Sequence, residues 1–503
     1  MHTNSPDLEK SGAVGEDIRS PLPATDKPDI EVTGLLSAWE PSPAQVRHVV
    51  RKIDMVLIPL MCGCVFLQMS DKGLLNSVSL LGFMSDIRLE NQQQFAWISS
   101  IFYFGYLLGC FGHAYFIQHW VLSQYIGAVV TLWGILAACH AACHSYSAFL
   151  AVRFFLGLME SAITPSFILM TGRFYTHEEQ VIRMIIWFSM NGVAQIVSGA
   201  ATFSELIHTP STMTMWQNLF LIYGVITIAF GILCFFVMPS SPDTTHYFSE
   251  EERAAAIYHI AANQSGIHSS KFKWSQFREA LLDIRLYIYF VGWVCLCIVN
   301  GGITTFGNQI IRSFHYDNKQ SSLLSMTLGG GEVVAVFLNA AFFYFLKRRD
   351  VIMIGGLLVS MAGAIMMVAI PASVKAGRMT GYALVSFFSV PMPMYYSWQS
   401  ATISGTTKRI VFNVALQIGY SIGNIIGPHP FDNSFTVGET VMVVLLFVTM
   451  LFIASVTVIH WYMNRAKEQQ CLSRGQTMDM SRQLEMDLSD LTDKERPTYR
   501  YPY

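Results

Sequence analysis

The chain has 503 residues, of which 52% are apolar, 13% aromatic and only 13% charged, and its formal net charge is −2. A soluble domain carries about 25% charge, so this composition excludes an ordinary soluble enzyme, a coiled coil and a disordered chain, and leaves a polytopic helical membrane protein. The near-zero net charge provides no basic field for nucleic acid.

In chain order, residues 1–52 are polar, rich in Pro, Ser and Asp, and contain no apolar stretch of signal-peptide type. They read as a disordered tail, with the first span serving as the targeting signal. A membrane helix needs ~20 largely apolar residues. Twelve segments qualify, near 53–75, 93–116, 122–142, 146–170, 183–205, 217–238, 285–311, 321–346, 350–370, 378–400, 409–428 and 437–463. In lipid the backbone must satisfy its own hydrogen bonds, so these runs are helices and not strands.

The longest internal loop, 239–284, divides the spans six and six, giving bundles at 53–238 and 285–463. It opens on a break at Pro239 to Pro242. Ser249 with Glu252 three residues on predicts a capping box, with Phe248 as its staple, and so a short helix. Lys271 to Arg285 mixes aromatic and basic residues and reads as an interfacial amphipathic helix. Residues 464–503 read as a second disordered tail.

Orientation follows from the 32 basic residues. The side holding both termini has 25 of them, against five on the other: Arg88, Arg312, Lys319, Lys375 and Arg378. Positive residues favour the cytoplasmic side, so both termini are expected there.

Nine cysteines, among them Cys62, Cys64, Cys110, Cys295 and Cys297, lie mostly inside apolar runs and form neither a disulfide framework nor a zinc spacing. His113, His140 and His144 show no metal constellation. No P-loop sequence, nucleophile elbow or zincin motif occurs, so neither an ATP-driven pump nor an enzyme is supported and no cofactor is expected.

Charge at bilayer depth costs at least about 2.5–3.5 kcal/mol per residue on insertion scales, so such residues are the first functional candidates. Asp71 and Lys72 are adjacent on the first span. Arg153 and Glu160 are seven apart on the fourth, nearly two turns, and share a face. If these spans face each other, two acids and two bases meet in one cavity. They serve either substrate and proton binding or a structural ion network, and the two roles are compatible. A carboxylate in low dielectric loads a proton readily, and a neighbouring Lys or Arg holds a substrate carboxylate. Glu332, after Gly329 to Gly331 in the eighth span, is a third deep acid: a second proton site, or a group facing a polar cavity. Asn191, Gln195, Asn300, Trp398, Gln399 and Gln417 are candidate cavity-lining residues. Gly419, Gly423 and Gly427, and likewise Gly105 and Gly109, predict close helix packing.

These residues resemble a known family. "RFFLGLMESAITPSF" from Arg153, "MPSSPDTTHYFSEEER" ending at Arg253, "FKWSQFREALLDIRLY" and "GTTKRIVFNVALQIGYSIGNIIGP" ending at Pro428 are similar to the major facilitator superfamily. More narrowly, they resemble its anion:cation symporters of the fungal allantoate-permease-like branch. The resemblance runs from about Arg51 to Arg465. It implies an all-α membrane fold of twelve transmembrane helices in two six-helix bundles, and substrates that are small organic anions or vitamins moved with protons. It selects Asp71, Lys72, Arg153 and Glu160 again, although Arg is more usual where Lys72 stands. The loop after the second span, "FIQHWVLSQYIG", lacks the superfamily's charged gating motif, and Thr402 stands where Asn is common.

The expected function is therefore proton-coupled uptake of a small organic anion across a plasma membrane by a monomer working through alternating access. Lys72, Arg153, Asn191, Gln195, Trp398 and Gln417 are expected to bind substrate, and Asp71, Glu160 and Glu332 to carry protons. The alternatives are a proton-antiporting exporter of a metabolite or drug, and a non-transporting nutrient sensor.

Overall fold

The computed structural model describes residues 41–208, 213–261 except 244 and 246, 272–473 except 372, 432 and 433, and 491–502 except 497 and 498. The first bundle comprises α1 (Pro43–Val78), the short α2 (Phe83–Asp86), α3 (Gln92–His119), α4 (Leu122–Cys139), α5 (Tyr146–Glu160), α6 (Ile163–Phe174), α7 (His177–Phe188), α8 (Met190–Ile207) and α9 (Met215–Val237). The linker holds α10 (Glu250–Ala261) and α11 (Trp274–Leu281). The second bundle comprises α12 (Ile284–Ser313), α13 (Asn318–Leu346), α14 (Arg349–Ala369), α15 (Lys375–Val385), α16 (Pro391–Thr402), α17 (Thr406–Ile426) and α18 (Phe435–Ser473).

Among the described residues, eleven helical stretches are long and apolar enough to cross a bilayer. The remaining span of the expected twelve, the tenth, is broken. It runs through α15, a tight 3₁₀ turn at Ser386–Ser389, and α16, which starts on Pro391. Proline supplies no N–H, and Ser386 and Ser389 turn their hydroxyls back onto Ala383 O and Ser386 O, at 2.7 and 2.9 Å. The fourth span bends between α5 and α6 for the same reason, since Pro165 lies in the first turn of α6 and donates nothing to Ser161.

Both bundles use one pairing scheme. In the first, the first and fifth spans pack together, as do the second and fourth and the third and sixth; in the second, the seventh and eleventh, the eighth and tenth, and the ninth and twelfth do the same. The bundles meet along α1 and α12, α3 and α17, and α8 and α13. Glycine permits the last approach: a Cβ on Gly192 would stand 2.5 Å from Gly329 O, and one on Gly329 would stand 2.5 Å from Gly192 O. Gly427 packs as closely on α12, where a Cβ would lie 2.5 Å from Ile298 O.

The ends differ from the sequence expectation. Helix α1 begins at Pro43, ten residues before the apolar run, because Ser42 and Gln45 form a capping box. Helix α18 runs to Ser473, and the described residues between 491 and 502 fold back against the second bundle instead of forming a solvated tail. The reason is specific pairing: Asp493 finds buried cations there, described below. The capping box expected in the linker forms. Ser249 N–H donates to Glu252 Oε2 at 2.9 Å and Glu252 N–H to Ser249 Oγ at 3.2 Å, with Phe248 buried. Helix α11 leaves Trp274 and the preceding Phe272 exposed, as an interfacial helix would. Lys271 lies outside the described residues.

Candidate functional site

Helices α1 and α5 bring the four charged residues of the first bundle together. Asp71, Arg153 and Glu160 are buried, and Lys72 is nearly so. Lys72 Nζ lies 3.4 Å from Glu160 Oε2. Its ammonium also stands over the rings of Tyr106 and Phe102, 5.5 and 5.7 Å from their centroids. Trp133 from α4 donates its indole N–H to Asp71 Oδ2 at 3.0 Å. Gln68, one turn before Lys72, reaches Glu160 O at 3.4 Å.

Arg153 is held differently. Its guanidinium lies over Phe220 and Phe149, 5.6 and 5.8 Å from their centroids. Phe220 in turn stacks on His140, whose Nδ1–H is on Leu136 O at 2.9 Å. Arg153 Nε and Nη2 are buried without a hydrogen-bond partner, as are Asp71 Oδ1 and both Glu160 carboxylate oxygens. That Nε/Nη2 edge is the part of arginine that grips carboxylates elsewhere in this chain. Arg183 closes on Asp54 with it at 3.1 and 2.8 Å, Arg285 on Asp283 at 2.9 and 2.6 Å, and Arg348 on Asp350 at 3.0 and 2.7 Å.

Lys72 and Arg153 line one cavity of about 20 Å³, with Ser99, Phe102, Tyr103 and Thr305 around it. That volume suits a single water. The cavity lies on the bundle interface, and Ser99 of α3 and Thr305 of α12 share a hydrogen bond of 2.7 Å across it. Further cross-bundle bonds lie beyond it, away from the chain ends. Asn76 accepts from Asn308 N at 2.8 Å, Asn318 donates to Leu80 O at 3.0 Å, Gln92 to Gln309 at 3.0 Å, and Ser322 to Gly199 O at 2.7 Å. Towards the chain ends Tyr420 packs edge-on against Tyr103, at 5.9 Å.

Of the other expected residues, Gln195 and Glu332 meet, with Gln195 Nε2 donating to Glu332 Oε2 at 2.7 Å across α8 and α13. Glu332 thus joins the two bundles on the α8–α13 contact, separate from the four-residue cluster. Asn191 and Gln417 are half-buried beside the interface helices. Asn300 is engaged with Asn424 at 2.9 Å, and Gln399 with Asn413 at 3.1 Å. Trp398 is a correction. It is completely buried inside the second bundle near its terminal end, with its one donor on Pro502 O at 2.9 Å, so it has nothing left for a substrate. Sequence reading missed Trp133, Tyr103 and Tyr420. Their signal was polar-tipped aromatics inside apolar runs, whose tips need partners.

Comparison with known proteins agrees with this architecture. The pattern of the Major Facilitator Superfamily matches residues 61–428. Allantoate permease of Saccharomyces cerevisiae is 31% identical over 92% of this chain and 87% of its own length. The Thiamine pathway transporter THI73 of the same yeast is 29% identical over 90% and 86%. The uncharacterized transporter C417.10 of Schizosaccharomyces pombe is 30% identical over 92% and 90%. Among solved structures, a bacterial homolog of the human lysosomal transporter Spinster superposes with a TM-score of 0.58 at 14% identity, covering 82% of this chain and 96% of that one.

Proposed function

Because the chain belongs to the Major Facilitator Superfamily, in the branch that holds the fungal allantoate permease, and is a multi-pass membrane transporter and not an enzyme, we propose that it moves a small organic anion together with protons. The observation that carries this reading is the unpartnered Nε/Nη2 edge of Arg153, buried beside Lys72 on one cavity. A desolvated guanidinium without an acceptor is costly. A substrate carboxylate supplies the planar pair of acceptors that Asp54, Asp283 and Asp350 supply to other arginines of the chain.

Charge balance then sets the coupling. Asp71, Glu160, Lys72 and Arg153 are two acids and two bases, so the empty cluster is neutral when all are ionised. A monocarboxylate adds one negative charge in a low-dielectric site, and a proton on Glu160 or Asp71 restores neutrality. The groups facing these acids from neighbouring helices are Trp133 of the third span, Tyr103 of α3 and Tyr420 of α17. One proton per monoanion makes the cycle electroneutral. Glu332, on Gln195, is the next proton candidate. The basic asymmetry of the loops supports cytoplasmic termini, and we assign a plasma-membrane monomer.

The test is radiotracer flux of a panel of carboxylates and their esters into proteoliposomes. An outside-acid gradient should drive accumulation, whereas a potassium diffusion potential set with valinomycin should not. Accumulation driven by an inside-acid gradient would establish antiport. Absence of flux for every anion, with binding retained, would leave a sensor.

A further inference from the structure

A second buried ion cluster lies in the other bundle, at the face that holds the chain ends. Arg285 starts α12 and grips Asp283 through Nε and Nη2 at 2.9 and 2.6 Å. Lys408, in the first turn of α17, lies 2.8 Å from Glu279 and 3.0 Å from Asp283. Both cations have a further partner: Asp493, from the segment after the last span, accepts from Arg285 Nη2 at 2.6 Å and Lys408 Nζ at 2.8 Å. Arg285, Lys408 and Asp493 are completely buried and Asp283 nearly so.

Other described residues of the segment are fitted as fully. Tyr501 donates to Asp493 Oδ2 at 2.9 Å and stacks on His460 of α18. Asn464 of α18 donates to Tyr501 O and accepts from Tyr501 N–H, at 3.0 and 2.9 Å. Lys467, also of α18, donates to Asp493 O and to Arg496 O. Trp398 and Tyr499 close the α16 side, the first on Pro502 O and the second reaching Ala401 O at 2.5 Å. Ser404, between α16 and α17, donates to Leu491 O at 2.9 Å. One short segment therefore touches α12, α16, α17 and α18.

We propose that the terminal-face end of the second bundle is a receptor for the chain's own C-terminal peptide, read through the Asp493 carboxylate and the Tyr499 and Tyr501 rings, and that transport requires the receptor to be filled. Emptying it leaves Arg285 and Lys408 to share Asp283, with only Glu279 besides. Helices α16 and α17 also lose the tie that joins their connection to α12 and α18. Helix α17 is one of the elements that meets the first bundle, so a loosened end there impairs the movement of the second bundle as a rigid body. This inference does not rest on the identity of the transported substrate.

The test uses full-length protein, a chain ending at residue 490, and the Asp493→Asn variant, each purified and reconstituted. Both altered proteins should melt several degrees lower and, measured below their melting temperatures, carry substrate at a maximal rate reduced about tenfold or more with KM within about twofold. A synthetic peptide of residues 491–503, added to the truncated protein, should bind and restore both the melting temperature and the rate. The same peptide with Asn at position 493 should bind at least about thirtyfold more weakly, as expected for removal of one partner of a buried charge pair. Where no anion flux is found in any protein, melting and peptide binding still decide the matter. Unchanged melting and rate on truncation would overturn the proposal, as would equal binding of the two peptides.

Discussion

The two buried ion clusters have the same composition, two carboxylates and two cations at their core, and opposite states of satisfaction. At the terminal face Arg285 and Lys408 make contacts of 2.6 to 3.0 Å to carboxylates from three parts of the chain. Mid-membrane, the one ion pair in the first-bundle cluster is Lys72 with Glu160 at 3.4 Å, and Arg153 keeps its carboxylate-binding edge unfilled. Burying paired charges locks helices together, whereas burying an unfilled donor pair holds a fold ready for a ligand. The contrast teaches that residue type alone does not separate the two clusters and that their hydrogen-bond inventories do.

The sharpest way to break the comparison is one conservative change in each cluster. Arg153→Lys keeps the charge and loses the planar two-point edge. It should reduce substrate uptake by about 100-fold or more while the protein melts near the wild-type temperature, since no carboxylate is lost as a partner. Arg285→Lys should do the reverse. It keeps the charge but loses the planar two-point grip on Asp283, and should lower the melting temperature and the yield of folded protein. Tracer uptake and thermal unfolding of the same preparations check both. Unimpaired uptake by Arg153→Lys would remove Arg153 from the site.

Next in size is the coupling. Glu160→Gln and Asp71→Asn keep shape and hydrogen bonding and lose titration. At least one, Glu160→Gln first, should fail to accumulate substrate on a pH gradient yet retain counterflow, which needs no net proton movement. If both still concentrate substrate, the proton moves elsewhere and Glu332→Gln becomes the next variant to measure. That change keeps an amide oxygen at position 332 for Gln195 to donate to, so the α8–α13 contact is preserved and only the titration is lost.

Much of this was legible in the sequence. Twelve apolar runs, the six-and-six division and the glycine spacings follow from the length and periodicity that a bilayer imposes. Asp71, Lys72, Arg153 and Glu160 were found because charge at depth is costly enough to demand a reason. What stayed hidden depended on partners remote in sequence. Trp133 is 62 residues from Asp71 and Asp493 is 208 from Arg285, and no local pattern joins them. The C-terminal segment read as solvated because it is polar, yet it carries Tyr499, Tyr501 and Tyr503 within five residues. That aromatic density is unusual for a disordered tail and was the available clue.

The smallest expected effect is on acid stability, and it isolates the satisfied cluster. Burial by itself would raise the Asp283 and Asp493 carboxyls. For Asp283 the hydrogen bonds and charge of Arg285, with those of Lys408, outweigh burial, and for Asp493 the charges of Arg285 and Lys408 do so; both groups are held below the usual carboxylate range. A carboxyl depressed in the folded state adds stability that is present above its unfolded pKa of about 3.9 and is lost as the pH falls through the folded value. The melting temperature of the full-length protein should therefore stay level from pH 7 to about pH 5 as far as this cluster is concerned, and decline below about pH 4. Asp493→Asn removes one of the two titrating groups. Its curve should start lower and fall less steeply in acid, so that the difference from wild type narrows as the pH drops. A difference that stays constant down to pH 3 would show that Asp493 contributes through packing and not through its charge, and the two clusters would then differ in geometry alone.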